Sequence, residues 1–269
     1  MKDSLGDRMK GFYEDRTRYK LTRRTYTIIR VDGKAFHTYT KGLEKPFDDG
    51  LIEDMNETAA YLCKNIMGAK FAYVQSDEIS VVITDFDDLS TEAWFDGNLQ
   101  KMSSVAASLA TAKFNQLRVL RAYGNIETDP IEHGPTAYDI SVYDVMKSKL
   151  AMFDARVFQI PYQEEVINYL IWRQQDATRN SISSVAQAHF STKELHGKNT
   201  TEMQDMLMLA KGINWNDFTS RQKRGGIVRK YTVKNIDIDT IRTEWLTDEK
   251  TPIFTQDREY LYFLVPTQQ

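Results

Sequence analysis

The sequence contains very little cysteine and histidine and no long apolar run. A single cysteine, Cys63, excludes an internal disulfide bond, and four histidines without paired spacing do not form the pattern of a zinc site. No stretch approaches the roughly 18 apolar residues of a membrane-spanning helix, and the polar start MKDSLGDRMK lacks the apolar core of a signal peptide. We therefore expect a cytoplasmic protein without membrane association, in which Cys63 is a small buried hydrophobe.

Two common catalytic motifs are also missing. The sequence has no Gly-x-x-x-x-Gly-Lys phosphate loop and no Gly-x-Ser-x-Gly nucleophile motif. Its composition, with 41% hydrophobic and 27% charged residues, is that of a soluble globular protein. The net charge is only −3, so the chain as a whole does not attract nucleic acid, and a nucleic-acid site would have to be local.

The first 160 residues alternate strand-like runs with helical patterns. A helix with a basic end is expected up to residue 24, and a β-branched strand at 25–31 stops at Asp32-Gly33. The elements that follow are a helix from Pro46 to Ile66, strands at 71–75 and 79–83, a helix opened by Ser90 or Thr91, and a strand at 152–160. This order predicts an α+β fold, a ferredoxin-like βαββαβ palm with an antiparallel sheet and its helices on one face.

The chain changes character after Pro161. Helical patterns dominate at 164–188 and 192–211, and strands are expected at 227–233 and 260–265. We predict a palm-type catalytic domain at 1–160, which includes the N-terminal basic helix, and a mostly helical region with a β-hairpin at 161–269. Residues 120–148 carry turn signals without a clear period and are interpreted as a long connection or an insertion.

Two adjacent carboxylates separate the strand-like runs of the segment FAYVQSDEISVVI. Asp77 and Glu78 would repel each other at a tight turn between apolar strands. In a βαββαβ sheet the first and third strands are central, so Asp32 at the end of the first would lie near them. Such acids suit two Mg²⁺ ions that hold both oxygens of an in-line displacement. The pattern favours a palm-type nucleotidyl transferase, although capping and turn formation explain most carboxylates at strand ends.

Four motifs, taken in order, resemble the tRNA(His) guanylyltransferase superfamily. They are IIRVDGKAFHTYTK, EKPFDD, YVQSDEISVV and WRQ, and the resemblance covers most of residues 11–230. Members of this superfamily add nucleotides in the 3′-to-5′ direction. The resemblance implies two Mg²⁺ ions, tRNA, ATP, GTP and other NTPs as ligands, and a homodimer or homotetramer. It also implies that 161–269 contributes to tRNA binding and oligomerisation.

The same motifs assign roles to individual residues. Asp32, the carbonyl of Gly33 and Asp77 would hold the metals, and Glu78 would complete the catalytic set as a supporting acid. Contacts with the nucleotide are implied for Arg30, Lys34, Ala35, Phe36, His37, Lys45, Asp48, Ser76 and Lys101.

Contacts with RNA are implied for seven further residues. They are Arg23, Arg24, Asn180, Lys198, Arg221, Lys223 and Arg224. The basic segment at 221–230 resembles the family's Arg-Lys-Gly-Thr stretch and would bind the phosphate backbone. The alternatives are a solvated basic face before residue 24, a solvated hairpin near 221–230, a loop role for Lys45, a structural role for His37 and a surface role for Lys101.

One segment departs from the eukaryotic guanylyltransferases. Where they carry His-Ile-Asn-Asn-Leu-Tyr-Asn, this chain reads TRNSISS at 178–184, and the segment HFSTKELHGK is similar to the guanylyltransferase-like branch. We therefore predict template-dependent 3′-to-5′ addition to the 5′ end of tRNA at the acceptor stem, which repairs 5′-truncated tRNA after ATP or GTP activation. The alternatives are obligatory G addition to tRNA(His), a palm-type nucleotidyl transferase or cyclase acting on small nucleotides, and a non-catalytic RNA-binding protein.

Overall fold

A computed structural model describes residues 4–124, 149–235, 240–248 and 250–268. Its strands are β1 Tyr26–Gly33, β2 Ala69–Gln75, β3 Glu78–Ile83, β4 Phe153–Ile160, β5 Gly226–Asn235 and β6 Thr240–Thr247. They form one antiparallel sheet in the order β4-β1-β3-β2-β5-β6. The first four strands have the ferredoxin-like order with β1 and β3 in the centre, which confirms the predicted α+β palm.

Helices cover both faces of the sheet. They are α1 Leu5–Met9, α2 Phe36–Tyr39, α3 Asp49–Asn65, α4 Leu99–Gly124, α5 Gln163–His189, α6 Thr192–Leu195, α7 Thr200–Lys211, α8 Ser220–Arg224 and α9 Arg258–Leu264. A π-helical turn and a 3₁₀ turn extend α1 to Thr17. Within the described ranges, no helix is long and apolar enough to cross a membrane.

The palm helices α3 and α4 pack on one face of the sheet, as predicted. Ile29 and Val31 of β1 share a buried cluster with Met55 and Leu62 of α3 and with Phe114 of α4. Side chains alternate along a strand, so the residues between them point to the opposite face.

The C-terminal half covers that opposite face. Tyr26 and Ile28 of β1 share a second buried cluster with Val166 and Leu170 of α5 and with Leu261 of α9. Helix α5 therefore lies over the face that the palm helices leave open, and its position decides what surrounds the acids at the end of β1.

The predicted C-terminal β-hairpin extends the palm sheet. β5 pairs with β2 from Phe71 opposite Arg229 to Val74 opposite Gly226, and β6 pairs with the outer edge of β5. Gly225 has a φ of +74°, and a Cβ at this position would lie 2.2 Å from the carbonyl oxygen of Val74. Only glycine allows this approach. The predicted domain boundary near 161 thus falls between two parts that share one sheet.

One predicted strand is wrong. The run at 260–265 forms most of α9, where the Asp257 carboxylate caps the helix by accepting the backbone N–H of Tyr260. Leu261 and Val265, one helical turn apart, are both buried. A short apolar run fits a buried helix as well as a strand. The hairpin partner of β5 is β6 instead, a strand that the sequence did not predict.

Two helix boundaries also differ from prediction. Helix α4 begins at Leu99 rather than after Ser90 or Thr91, because the Asn98 side chain accepts the backbone N–H of Lys101 at 3.0 Å. The N-terminal helical segment ends at residue 17, and residues 18–25 are not helical. Of the predicted connection at 120–148, α4 includes the first part, and 125–148 lie outside the described residues.

Candidate active site

The turn between β2 and β3 lies beside the end of β1. Asp32 is opposite Glu78 in the strand register, and the backbone N–H of Gly33 donates to the carbonyl oxygen of Asp77 at 3.1 Å. Ser76 has a φ of +47°, which tightens the turn. The two central strands therefore bring together the three predicted acids, Asp32, Asp77 and Glu78.

Asp77 has a strongly perturbed pKa. Burial, together with the negative charges of Asp32 and Glu78, raises the pKa of the Asp77 carboxyl to about 6, against an opposing hydrogen bond from Ser76. Asp32 lies near Arg156, but the Nη2–Oδ2 distance of 3.9 Å is too long for a hydrogen bond. The two aspartates therefore form a negative region that a divalent cation would neutralise.

Glu78 has a different environment, because it is ion-paired with α5. Arg173 donates from Nε to Oε1 at 2.8 Å and from Nη2 to Oε2 at 2.7 Å, and Gln75 donates to Oε1 at 3.1 Å. Burial alone would lower the pKa of Arg173, but the hydrogen bonds and charge of Glu78 outweigh it and raise that pKa. Arg30 adds a second cation, with its Nε 3.9 Å from Oε2.

The donor set suits magnesium better than a metal that needs a complete protein cage. In the part of the chain that the structure describes, no three His, Cys, Asp or Glu side chains are placed to hold a metal by themselves. Magnesium commonly uses one or two carboxylates and completes its shell with waters and phosphates. Asp32 and Asp77, beside the backbone of Gly33, match this requirement.

The segment after β1 carries four of the predicted nucleotide contacts. The backbone N–H of Lys34 donates to the carbonyl oxygen of Met152 at 2.8 Å, and Ala35 has a φ of +52°. Phe36 is buried in the core, so only its backbone can meet a nucleotide. His37 is exposed, and its ring nitrogen Nε2 lies 3.1 Å from the Thr38 hydroxyl.

Lys45 and Asp48 lie in the loop before α3. Lys45 is exposed and precedes a cis peptide bond to Pro46. Asp48 caps α3, since its Oδ1 accepts the backbone N–H of Leu51 at 2.7 Å. A nucleotide at Asp48 would contact Oδ2, which accepts only a long hydrogen bond of 3.4 Å from the backbone N–H of Glu44.

Lys101 is not among the residues that meet at the acids. It lies at the start of α4, and its neighbour Met102 lines a cavity with Thr27 and Ile83. Thr27 is at the opposite end of β1 from Asp32, roughly 17 Å away along the strand. Within one copy of the chain, Lys101 therefore lies far from the candidate metal site.

A model of the tRNAHis guanylyltransferase family matches residues 6–161. This chain belongs to the tRNAHis guanylyltransferase family. Its members are guanylyltransferases, so the protein is a nucleotidyltransferase, and the predicted resemblance is confirmed.

Three relatives show the extent of the likeness. A bacterial tRNA(His) guanylyltransferase-like protein in complex with ATP is 47% identical, with a TM-score of 0.80 over 98% of this chain and 100% of that chain. A probable tRNA(His) guanylyltransferase of Dictyostelium discoideum is 26% identical over 82% of this chain and 81% of its own length. The Saccharomyces cerevisiae enzyme, at 24% identity and a TM-score of 0.63, covers 84% of this chain and 93% of its own and shares the fold.

Two arginines predicted to bind RNA in this family member are engaged within the fold. Arg23 donates to the Asp85 carboxylate at 2.7 Å and to the carbonyl oxygen of Thr91 at 2.6 Å. Arg24 donates to the carbonyl oxygen of Asp88 at 3.3 Å. Both precede β1, at the end of the sheet away from the acids. These contacts favour a structural role for the two arginines.

The basic helix α8 lies closer to the acids. Arg221 lines a cleft with Ser76 and Asn56, and its side chain has no hydrogen-bonded or ion-paired partner among the described residues. Lys223 donates to the carbonyl oxygen of Asn216 at 2.5 Å. Burial, followed by the neighbouring charge of Arg224, lowers the pKa of Lys223. Of this group, Arg221 is best placed for an incoming phosphate.

The remaining RNA predictions fall in the C-terminal half. Asn180 lies two helical turns beyond Arg173 on α5, and its amide is 3.4 Å from the Asp176 carboxylate. Lys198 precedes α7 and pairs with Glu202 at 3.1 Å. Asn180 therefore shares a helix with the partner of Glu78, whereas Lys198 makes a local ion pair.

Three charged residues near the site were not predicted. Asp154 and Arg156 of β4 lie directly opposite Asp32 and Arg30 of β1, and Arg173 holds Glu78. The signal for the first two was available, since charges at alternate positions of the FDAR run mark one face of a strand. Arg173 could be suspected as a lone charge within the buried stripe of a long helix, but its partner could not be identified without the fold.

Proposed function

We propose that this protein adds nucleotides to the 5′ end of tRNA in the 3′-to-5′ direction, with the opposite strand of the acceptor stem as template. The observation that carries the proposal is the convergence of Asp32 and Asp77 at one end of the sheet. The 47% identity to the bacterial guanylyltransferase-like protein, against 26% to the Dictyostelium guanylyltransferase, supports the guanylyltransferase-like branch. Resemblance to that branch implies repair of truncated tRNA rather than obligatory G addition.

The reaction has two steps. The 5′-monophosphate of the tRNA first attacks the α-phosphate of ATP, and pyrophosphate leaves. The 3′-hydroxyl of an incoming NTP then attacks the activated 5′-phosphate, and AMP leaves. An end that already carries a triphosphate enters the second step directly and loses pyrophosphate. Two bound Mg²⁺ ions would supply the charge that favours hydroxyl deprotonation and offsets the leaving phosphates.

The residues of the chain bind and orient the reactants. Asp32 and Asp77 would hold the magnesium. Arg30 and Arg156 face each other on β1 and β4 behind Asp32, and within the described residues the buried Nε of Arg30 has no hydrogen-bond partner. A phosphate oxygen would give this group an acceptor. Because base pairing selects the nucleotide, contacts with phosphate suffice for the protein.

The test uses a 5′-labelled tRNA that lacks its first nucleotides, with ATP, all four NTPs and magnesium. The product should be longer at its 5′ end, and the added base should change when the opposing template base is changed. Addition of G whatever the template would support the obligatory guanylyltransferase instead. Dinucleotides formed from NTPs alone would support an enzyme that acts on small nucleotides. Tight RNA binding without turnover would support a non-catalytic RNA-binding protein.

Light scattering of the purified protein tests the proposed homodimer or homotetramer.

A further inference from the structure

The ion pair between Arg173 and Glu78 joins the two halves of the chain at the candidate metal site. Glu78 opens β3 in the palm, whereas Arg173 lies in the middle of α5. Each residue is only 7% exposed. The guanidinium bonds both carboxylate oxygens, at 2.8 and 2.7 Å, which is the bidentate geometry of a strong pair. The Trp172 ring covers the guanidinium, with its centroid 4.5 Å from the Arg173 Cζ.

This geometry limits what Glu78 can do for a metal. Both of its oxygens accept hydrogen bonds from Arg173, and Oε1 accepts a third from Gln75. Three of the roughly four lone pairs of this carboxylate therefore already face donors, which leaves little capacity for a metal ion. Asp32 and Asp77 carry no comparable bidentate partner among the described residues, so the three acids divide into one neutralised carboxylate and two that remain for the cations.

We propose that Arg173 is a positioning residue for the metal site. It neutralises Glu78, keeps that carboxylate away from the cations and fixes the turn that presents Asp77. The metals are then held by two carboxylates rather than three. This inference rests on the proposed function, because it assumes that magnesium binds at Asp32 and Asp77.

The effect of removing Arg173 follows from charge. In Arg173→Gln, Glu78 would be a buried carboxylate that has lost its bidentate partner, with Arg30 still 3.9 Å away but not hydrogen-bonded to it. The extra negative charge should tighten metal binding by about tenfold, since opposite charges a few ångströms apart attract each other appreciably even at a high effective dielectric constant. Turnover should fall because Glu78 then competes for the ions and the turn shifts.

The test measures Mn²⁺ binding by electron paramagnetic resonance in the full-length protein with ATP, without any tRNA. Glu78→Gln should bind as many ions as the wild type, but with an affinity up to about tenfold weaker, because the positive charge of Arg173 is then unpaired. Arg173→Gln should bind Mn²⁺ more tightly, and the double variant should return to the wild-type affinity. A residue with only a structural role would lower thermal stability without this reversal. Arg173→Lys, which keeps the charge, is the control and should bind Mn²⁺ with the wild-type affinity. If Arg173→Gln does not fold, the number of Mn²⁺ ions bound by Glu78→Gln decides the inference.

Two outcomes would overturn the inference. One is loss of a bound Mn²⁺ ion in Glu78→Gln, which would make Glu78 a ligand. The other is an unchanged Mn²⁺ affinity in folded Arg173→Gln. Failure of the proposed function is distinguishable from both, because it appears as a wild-type protein that binds Mn²⁺ at this site but does not lengthen tRNA.

Discussion

Gly33 donates its backbone N–H to the carbonyl oxygen of Asp77 at 3.1 Å. This hydrogen bond ties the end of β1 to the β2–β3 turn, and so places the carboxylate that precedes Gly33 near that of Asp77. Among the described residues, neither Asp32 nor Asp77 has a lysine or arginine within hydrogen-bond distance, since Arg156 approaches Asp32 only to 3.9 Å. The candidate site therefore depends on backbone geometry as much as on the acidic side chains themselves.

Replacing Asp77 with asparagine should lower 5′ extension by about 1,000-fold, equivalent to about 4 kcal/mol of transition-state stabilisation. The amide keeps the shape of the side chain but removes the charge that would hold magnesium. Extension is measured on 5′-labelled truncated tRNA, and folding by circular dichroism. Asp205→Asn, which changes an exposed carboxylate on α7, is the matched control and should keep full activity. An active Asp77→Asn variant would contradict the metal assignment.

In the metal-free protein, the contribution of Asp77 to the free energy of unfolding should decrease between about pH 4 and pH 6. The folded state raises the pKa of Asp77 to about 6, whereas an unfolded aspartate titrates near pH 4. The folded protein thus binds this proton more tightly, so its relative stability is highest below the unfolded pKa and is lost as the pH rises through the folded pKa. Thermal melts in EDTA at a series of pH values measure this contribution to stability.

The matched protein for this pH test is Asp77→Asn, which lacks the titrating group. Subtracting its melting curve from that of the wild type isolates the contribution of Asp77 from that of the other acids. Magnesium must also displace this proton, so the concentration needed for half-maximal activity should rise below about pH 6. A wild-type minus variant difference that stays constant from pH 4 to pH 7 would refute the raised pKa.

Gly33→Ala should destabilise the protein by about 1–3 kcal/mol and disturb ATP binding. An added Cβ would lie 2.3 Å from the ring of Phe36, so the aromatic ring and the loop behind it must move. Urea unfolding measures the loss of stability, and the KM for ATP measures how far the shifted loop disturbs nucleotide binding. In the background of Phe36→Ala, which removes the clashing ring, Gly33→Ala should cost much less. An equal loss of stability in both backgrounds would rule out a clash between the added Cβ and the Phe36 ring.

Arg221→Ala and Arg23→Ala should behave differently. Arg221 faces the cleft beside Ser76, so its loss should weaken tRNA binding and reduce the salt dependence by about one phosphate contact. Arg23 is bound to Asp85, so its loss should lower thermal stability and leave tRNA affinity unchanged. Filter binding across a range of salt concentrations separates them. Equal loss of tRNA affinity in both variants would restore Arg23 as an RNA contact.

The sequence predicted the palm well because its elements are periodic and its turns are marked. The segments around Asp32 and Asp77 were recognisable as strand ends, and the βαββαβ order placed them on neighbouring strands. The prediction failed where two structures fit one pattern, as at 260–265, where an apolar run suits a strand or a buried helix. Thr240–Thr247 was missed because it mixes charged and apolar residues along an outer edge.

The sequence by itself determined the strand order of the palm and the two aspartates that meet there, because alternation and chain order restrict how a small sheet can pair. Only the tertiary structure decided the state of the third acid. Glu78 looks equivalent to Asp77 along the chain, but α5 crosses the open face and brings Arg173 to both of its oxygens. That contact joins distant parts of the chain and depends on how a helix packs on a sheet, which no local pattern specifies.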